Sequence, residues 1–315
     1  MKEEKLNFGI ILRIGLSLLP ILFGMPFPAM LWCSFNIAMS FIVYGPLTSL
    51  VSSLCAVCIS MFFSGLFGEG AKLYGLYLAL EAVLCAGACV YTVAKRKEFY
   101  SGVWLAAAGY LIPNVISLKT QAEGEGLNIA HFMTDEPVQI VRMQVEQISK
   151  TASLNMETEV IGKIIDIMHS AFIAIVPSML VISGIIVGYI IMWCVCARLR
   201  SMPGSIQHSF SMIKIPRSMI ILMLAALVVA FAGSDSTVGT VALNIFVTIS
   251  YLCCFGGLSL ADYFLRKPVK ATPFRLLIYF GAFMSMSSIL IIVFFFSGIV
   301  DSFFDFRKIR KEAVL

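Results

Sequence analysis

The chain has 315 residues, of which 59% are apolar and 13% charged, with a formal net charge of +5. Soluble domains carry about 25% charged residues, so this composition excludes an ordinary water-soluble globule. The Lys and Arg residues cluster beside apolar runs and form no basic face, which argues against a nucleic-acid surface and assigns them to membrane topology.

The first apolar run, 8–24, follows the mixed start MKEEK, contains Arg13 and lacks a small-x-small cleavage site, so it reads as a retained first helix. Runs at 27–44, 46–67, 73–94 and 102–118 follow, of a length suited to a hydrocarbon core about 30 Å thick. GMPFP, YGP and FGEGAK separate them, each using Gly or Pro to stop a helix. Segment 119–167 is polar, with eight acidic and four basic residues. Within it Val141, Val145 and Ile148, then Val160, Ile161, Ile164, Ile165 and Met168, recur at helical spacing. That spacing predicts two amphipathic helices, the second starting near Asn155 as N-cap.

Runs at 168–197, 218–233 and 238–263 precede a last stretch, 274–300. At 1.5 Å per residue its length is about 40 Å, more than one crossing requires. MSMSS, Met284 to Ser288, is a polar weak point near its middle and predicts a tight hairpin, giving ten crossings; a single tilted helix would give nine. The expected fold is therefore an all-α polytopic membrane helix bundle of nine or ten helices. It divides into membrane helices over 1–118, an external amphipathic cap over 119–167 and membrane helices over 168–315.

Three loops, AKRKEF, ARLRSMPGSIQHSFSMIKIPRS and LRKPVKATPFR, carry eleven Lys and Arg, and each follows an even number of crossings. By the positive-inside rule the N-terminus is cytoplasmic and 119–167 external. The hairpin would return the basic tail to the cytoplasm.

Glu81, in LYGLYLALEAVLCAGACV, is the sharpest single residue. A carboxylate mid-span costs about 2.5–3.5 kcal/mol on insertion scales, so it faces a cavity, a ligand or a neighbouring helix. Arg13 either snorkels to the interface or pairs with it. Asn36, Asn114 and Asn244 are amides within spans, either tying helices together or touching a ligand. Ser49, Ser53, Ala56, Ser60 and Ser64 form a stripe of small residues on one helix face, and Gly184 and Gly188 form a GxxxG; both suit close helix packing, within the chain or with a partner. Asp301 and Asp305 lie one turn apart beside the basic tail and read as a helix end anchored at the interface.

All nine cysteines fall within or at the end of apolar runs, including the pair in CAVC, and read as small apolar packers. His131, His169 and His208 are scattered in sequence, no His or Cys cluster has metal spacing, and no hydrolase, zincin, P-loop or dinucleotide motif occurs. No cofactor, no metal and no enzymatic activity are expected.

The C-terminal half carries IVPSMLVISGIIVGYIIMW, IKIPRSMIILMLAALVV, LNIFVTISYLCCFGGLSLADYFLRK and SGIVDSFFDFRK. These resemble the YybS-like family of predicted bacterial membrane proteins, a domain of unknown function. The marks are Pro177, Pro216, Asn244, Gly256 to Ser259, Gly298, Asp301 and Asp305 to Arg307; the family typically shows Gln where this chain has Gly256. That family is distantly similar to the substrate-binding subunits of energy-coupling-factor vitamin transporters, and YGPLTSLVSSL looks like the helix start of those subunits. The resemblance implies a small-molecule binding or transport component in the lipid bilayer, with energy supplied by a separate partner subunit. The rival reading is a membrane scaffold or regulatory subunit, in which the Ser stripe and the GxxxG receive partner helices.

Overall fold

A computed structural model of the chain describes residues 8–151, 158–199, 209–233, 236–304, 306 and 307. Among these there is no strand. The helices are α1 (Phe8–Leu18, continued by a 3-10 turn, Leu19–Phe23), α2 (Pro26–Tyr44), α3 (Pro46–Gly65), α4 (Glu69–Ala94), α5 (Phe99–Gly124), α6 (Ile129–Thr151), α7 (Thr158–Leu199), α8 (Arg217–Ala232), α9 (Thr237–Leu265) and α10 (Thr272–Phe304). Among the described residues, six of them are long and apolar enough to cross a membrane. Phe23, Phe231 and Leu277 are at least 70% exposed, a surface suited to lipid rather than water. The protein is a polytopic membrane helix bundle.

The chain divides into two compact units, 1–169 with 180–207, and 170–179 with 208–315. In the first, α2 to α5 pack around Met30, Cys33, Ala56, Leu78, Cys85, Cys89 and Ala106. Pro at the first position of α2 and α3 fixes each entry, and Gly45, at φ +100°, makes the tight link between them. Small residues let the backbones approach. Ser60 Oγ donates to the Gly75 carbonyl at 2.8 Å, and a Cβ on Gly75 would lie 2.6 Å from the Ser60 carbonyl oxygen. The buried stripe on α3 is Thr48, Ser52, Ala56, Ser60 and Ser64. The sequence expectation is thus corrected by one position in its first half: Ser49 and Ser53 lie beside the stripe, half-buried, where Ser53 bonds back to the Ser49 carbonyl.

The GxxxG of α7 is used within the chain. A Cβ on Gly188 would lie 2.5 Å from the Val103 carbonyl oxygen of α5, and one on Gly184 would meet the Leu111 side chain. The expected second amphipathic helix does not stand alone. It merges with the following apolar run into the 42-residue α7, about 63 Å long and twice the hydrocarbon thickness. Between Thr158 and Leu199 only Pro177 opposes a helix, and an existing helix accommodates one proline more cheaply than a new loop. Asn155 lies outside the described residues. Asn128 caps α6, accepting from the His131 amide at 2.9 Å.

In the second unit α9 packs against α8 and α10. Gly257 and Gly298 permit the last contact, since a Cβ on Gly298 would run into the Cys253 carbonyl and one on Gly257 into the Phe294 carbonyl. α10 is helical throughout Thr272–Phe304, so MSMSS does not interrupt it. It is nonetheless bent. In a straight helix Arg275 and Asp301 would be about 39 Å apart at 1.5 Å per residue. Arg275 instead pairs with Asp262, while Asp301 is joined through Arg307 to Ser259, less than one turn from Asp262 on α9. Both ends of α10 therefore meet the same end of α9, and a straight tilted helix is excluded.

Candidate functional site

Glu81 sits mid-way along α4 and is 5% exposed. Its carboxyl is within hydrogen-bonding reach of the Asn114 side chain on α5. α4 and α5 are drawn together just below it. Cys85 donates to the Ala106 carbonyl at 3.3 Å, and Gly109 comes so close that a Cβ would lie 3.0 Å from the Leu84 backbone. Towards the other end the two helices line a cavity of about 280 Å³. Glu81, Tyr74 and Leu78 line it from α4, Tyr110, Asn114, Ser117 and Gln121 from α5, and Phe27 and Met30 from α2.

The lining follows helical spacing. Tyr110, Asn114, Ser117 and Gln121 recur every three or four residues and form one stripe of α5; Tyr74, Leu78 and Glu81 do the same on α4. Pro113, buried beside Asn114, removes one backbone donor from α5 at this level. A second hollow of about 580 Å³ shares Tyr74, Ser117 and Gln121 with the first and reaches Ala71 and Gly124, at the ends of α4 and α5. Between them the two hollows are lined by tyrosines, by the amides of Asn114 and Gln121 and by the hydroxyls of Ser117 and Thr120. Apolar walls with a few convergent polar groups are the chemistry of a small-molecule site.

Glu81 and Asn114 are thus brought together, a pairing that sequence spacing does not reveal. Arg13 is exposed on α1 and makes no ion pair with Glu81, so the alternative of an Arg13–Glu81 pair is not realised. Asn36 is elsewhere, donating to the Trp32 carbonyl of its own helix at 2.9 Å. Asn244 belongs to the second unit and braces α7 at Pro177. Its amide donates to the Ala174 carbonyl at 2.8 Å and accepts from the Ser178 amide at 2.9 Å and the Ser178 hydroxyl at 2.6 Å. Of the four candidate contact residues, two line the cavity and two do not.

The second unit holds two buried charge clusters. Arg307, 4% exposed, donates to Asp301, to the Ser211 and Ile213 carbonyls and to Ser259 Oγ. Asp262, 4% exposed, meets Arg266 at 2.9 Å and Arg275 at 3.0 Å and accepts from the Tyr279 hydroxyl at 3.3 Å. Asp301 is therefore the partner of Arg307, not an exposed interface anchor as the sequence suggests, while Asp305 lies outside the described residues. Every guanidinium nitrogen of Arg307 is used, and around it only Asp301 Oδ1 is left without a partner among the described residues, which marks a latch rather than an open site. His131 and His169, 38 positions apart in sequence, also meet, with ring centroids 5.9 Å apart.

The chain belongs to the family described as Predicted membrane protein (DUF2232), whose model matches residues 15–302. No curated protein and no solved structure matches it.

Proposed function

We propose that this DUF2232 protein binds a small molecule in the cavity at Glu81, as the binding component of a transport system. The observation that carries the reading is a carboxyl, 5% exposed, lining a cavity that shares Tyr74, Ser117 and Gln121 with a hollow at the ends of α4 and α5. Glu81 and Asn114 accept and donate hydrogen bonds at its base, while Phe27, Tyr74 and Tyr110 receive a flat or apolar body. A cavity of about 280 Å³ with an adjoining groove suits a ligand of amino-acid to vitamin size. The resemblance to YybS-like proteins, and through them to energy-coupling-factor substrate-binding subunits, points the same way as fold-level analogy.

The basic loops put the α4–α5 and α9–α10 connections in the cytoplasm of a bacterial cell, so the cavity opens outward. A nucleotide-binding motif does not occur in the sequence, so any energy input comes from another subunit. The chain itself is read as no enzyme. A scaffold role is weaker, because Ser60 and Gly188, offered by that reading to partner helices, already serve α4 and α5.

The test is mass spectrometry of small molecules retained by the purified protein in nanodiscs, with Glu81→Gln as the paired sample. The expected result is a compound enriched with the wild type and depleted from the variant. Identical small-molecule profiles for the two would overturn the proposal.

A further inference from the structure

We propose that His131, Asp135 and His169 form a binding site for a divalent transition-metal ion, Zn²⁺ being the reference case, at the junction of α6 and α7. The ligand atoms lie within 4.8 Å of one another. Asp135 Oδ1 is 3.1 Å from His131 Nδ1 and 2.9 Å from His169 Nε2. Around a tetrahedral ion with metal–ligand bonds of about 2.0–2.1 Å, neighbouring ligand atoms are roughly 3.3 Å apart. The two distances to Asp135 are already close to that spacing and the two imidazole nitrogens lie within 4.8 Å of each other, so small rotations of the rings admit the ion.

The helices impose the arrangement. His131 and Asp135 are one turn apart and share a face of α6, whose first turn is fixed by the Asn128 cap. His169 comes from α7, and the Arg142–Asp166 pair at 2.7 Å holds the same two helices together farther along. Thr134, 7% exposed, directs its hydroxyl hydrogen to the Ala130 carbonyl at 2.8 Å. Its oxygen stands 3.2 Å from His169 Nε2 and brings a fourth donor atom to the rim. Two imidazoles and one carboxylate are a borderline set that suits Zn²⁺ and its transition-series neighbours, and three protein ligands leave a position for water.

The site lies at the edge of the bilayer. After His169 the sequence runs to Arg198 with no Asp, Glu, Lys or Arg, so His169 is the last ionisable group of α7 before the span. The side chains of His131, Asp135 and His169 are 41%, 32% and 23% exposed, which leaves an entry path for a hydrated ion. A bound metal would clip α6 to the emergent part of α7.

The experiment uses the full chain in nanodiscs, stripped with a chelator and titrated with Co²⁺ as the spectroscopic probe, then with Zn²⁺. Expected are visible d–d bands saturating at one Co²⁺ per chain, no thiolate-to-cobalt charge-transfer band, and loss of the signal on adding Zn²⁺. His169→Ala and Asp135→Asn lose the bands while keeping the wild-type size-exclusion profile. Should either variant fail to fold, His131→Ala, at the most exposed ligand, gives the same test. Absence of Co²⁺ bands in the wild type, a thiolate band, or bands retained in the folded variants would overturn the proposal.

Discussion

Arg307 and Asp301 are bound to each other with side chains 0% and 2% exposed. Arg307 lies in the turn just past the end of α10, yet it reaches back to the carbonyls of Ser211 and Ile213 and to Ser259. Truncating one partner of such a pair leaves a buried charge, at a cost of about 3–5 kcal/mol. Arg307→Ala and Asp301→Ala are each expected to lower the melting temperature in detergent and the monodisperse yield. Arg307→Lys gives no rescue, because one ammonium cannot span four acceptors. A wild-type melting temperature for Arg307→Ala would contradict the latch.

Close backbone approach at α9–α10 gives a second prediction. Gly298→Ala places a methyl against the Cys253 carbonyl and is expected to abolish folded protein, as judged by size exclusion. Gly281→Ala, on the same helix with nothing within 4 Å of the new Cβ, is expected to be neutral or to stabilise by up to about 1 kcal/mol.

The Asn244 amide bonds both the Ala174 carbonyl and the Ser178 amide, on either side of Pro177. Asn244→Asp loses the donor to Ala174 and Asn244→Leu loses every bond, so stability should fall in the order wild type, Asp, Leu. Each unsatisfied buried group costs about 1–3 kcal/mol. Thermal unfolding checks the order, and equal melting temperatures would remove Asn244 from the bracing role.

The bend of α10 places Lys270 and Phe306, both exposed, toward one end of α9. Single cysteines at these positions are expected to react from the same side of the membrane with an impermeant thiol reagent, against the unlabelled embedded native cysteines. Labelling from opposite sides would contradict the bend.

Much of this architecture is legible in the sequence. Gly and Pro punctuation places the ends of α2 and α3 within a residue or two, because Pro26 and Pro46 open the helices they precede. The continuity of α7 is not legible. Polar and apolar segments look separate in composition, whereas a helix continues through a change of solvent at no backbone cost. The α3 stripe is misread by one position at Ser49 and Ser53, since the adjacent pairs Thr48–Ser49 and Ser52–Ser53 leave the facing member undetermined until α2 and α4 are placed. Glu81 is conspicuous because a carboxylate in a span is expensive, but its partner Asn114 depends on the helix register of α4 against α5. The α5 stripe of Tyr110, Asn114, Ser117 and Gln121 carries a signal at helical spacing that identifies that face. His131, Asp135 and His169 escape sequence spacing because two of them share a turn and the third returns from another helix.

The account rests on the cavity at Glu81, and the most direct measurement is calorimetric titration of the compound retained by the wild-type protein into wild type, Glu81→Gln and Ser117→Phe. Losing a hydrogen bond of the carboxyl costs about 0.5–1.5 kcal/mol, so Glu81→Gln should weaken binding about two- to tenfold. Ser117→Phe, which fills the hollow without touching the carboxyl, should weaken it as well, with both variants melting near wild type. Wild-type affinity in both variants would place the compound elsewhere and contradict the account.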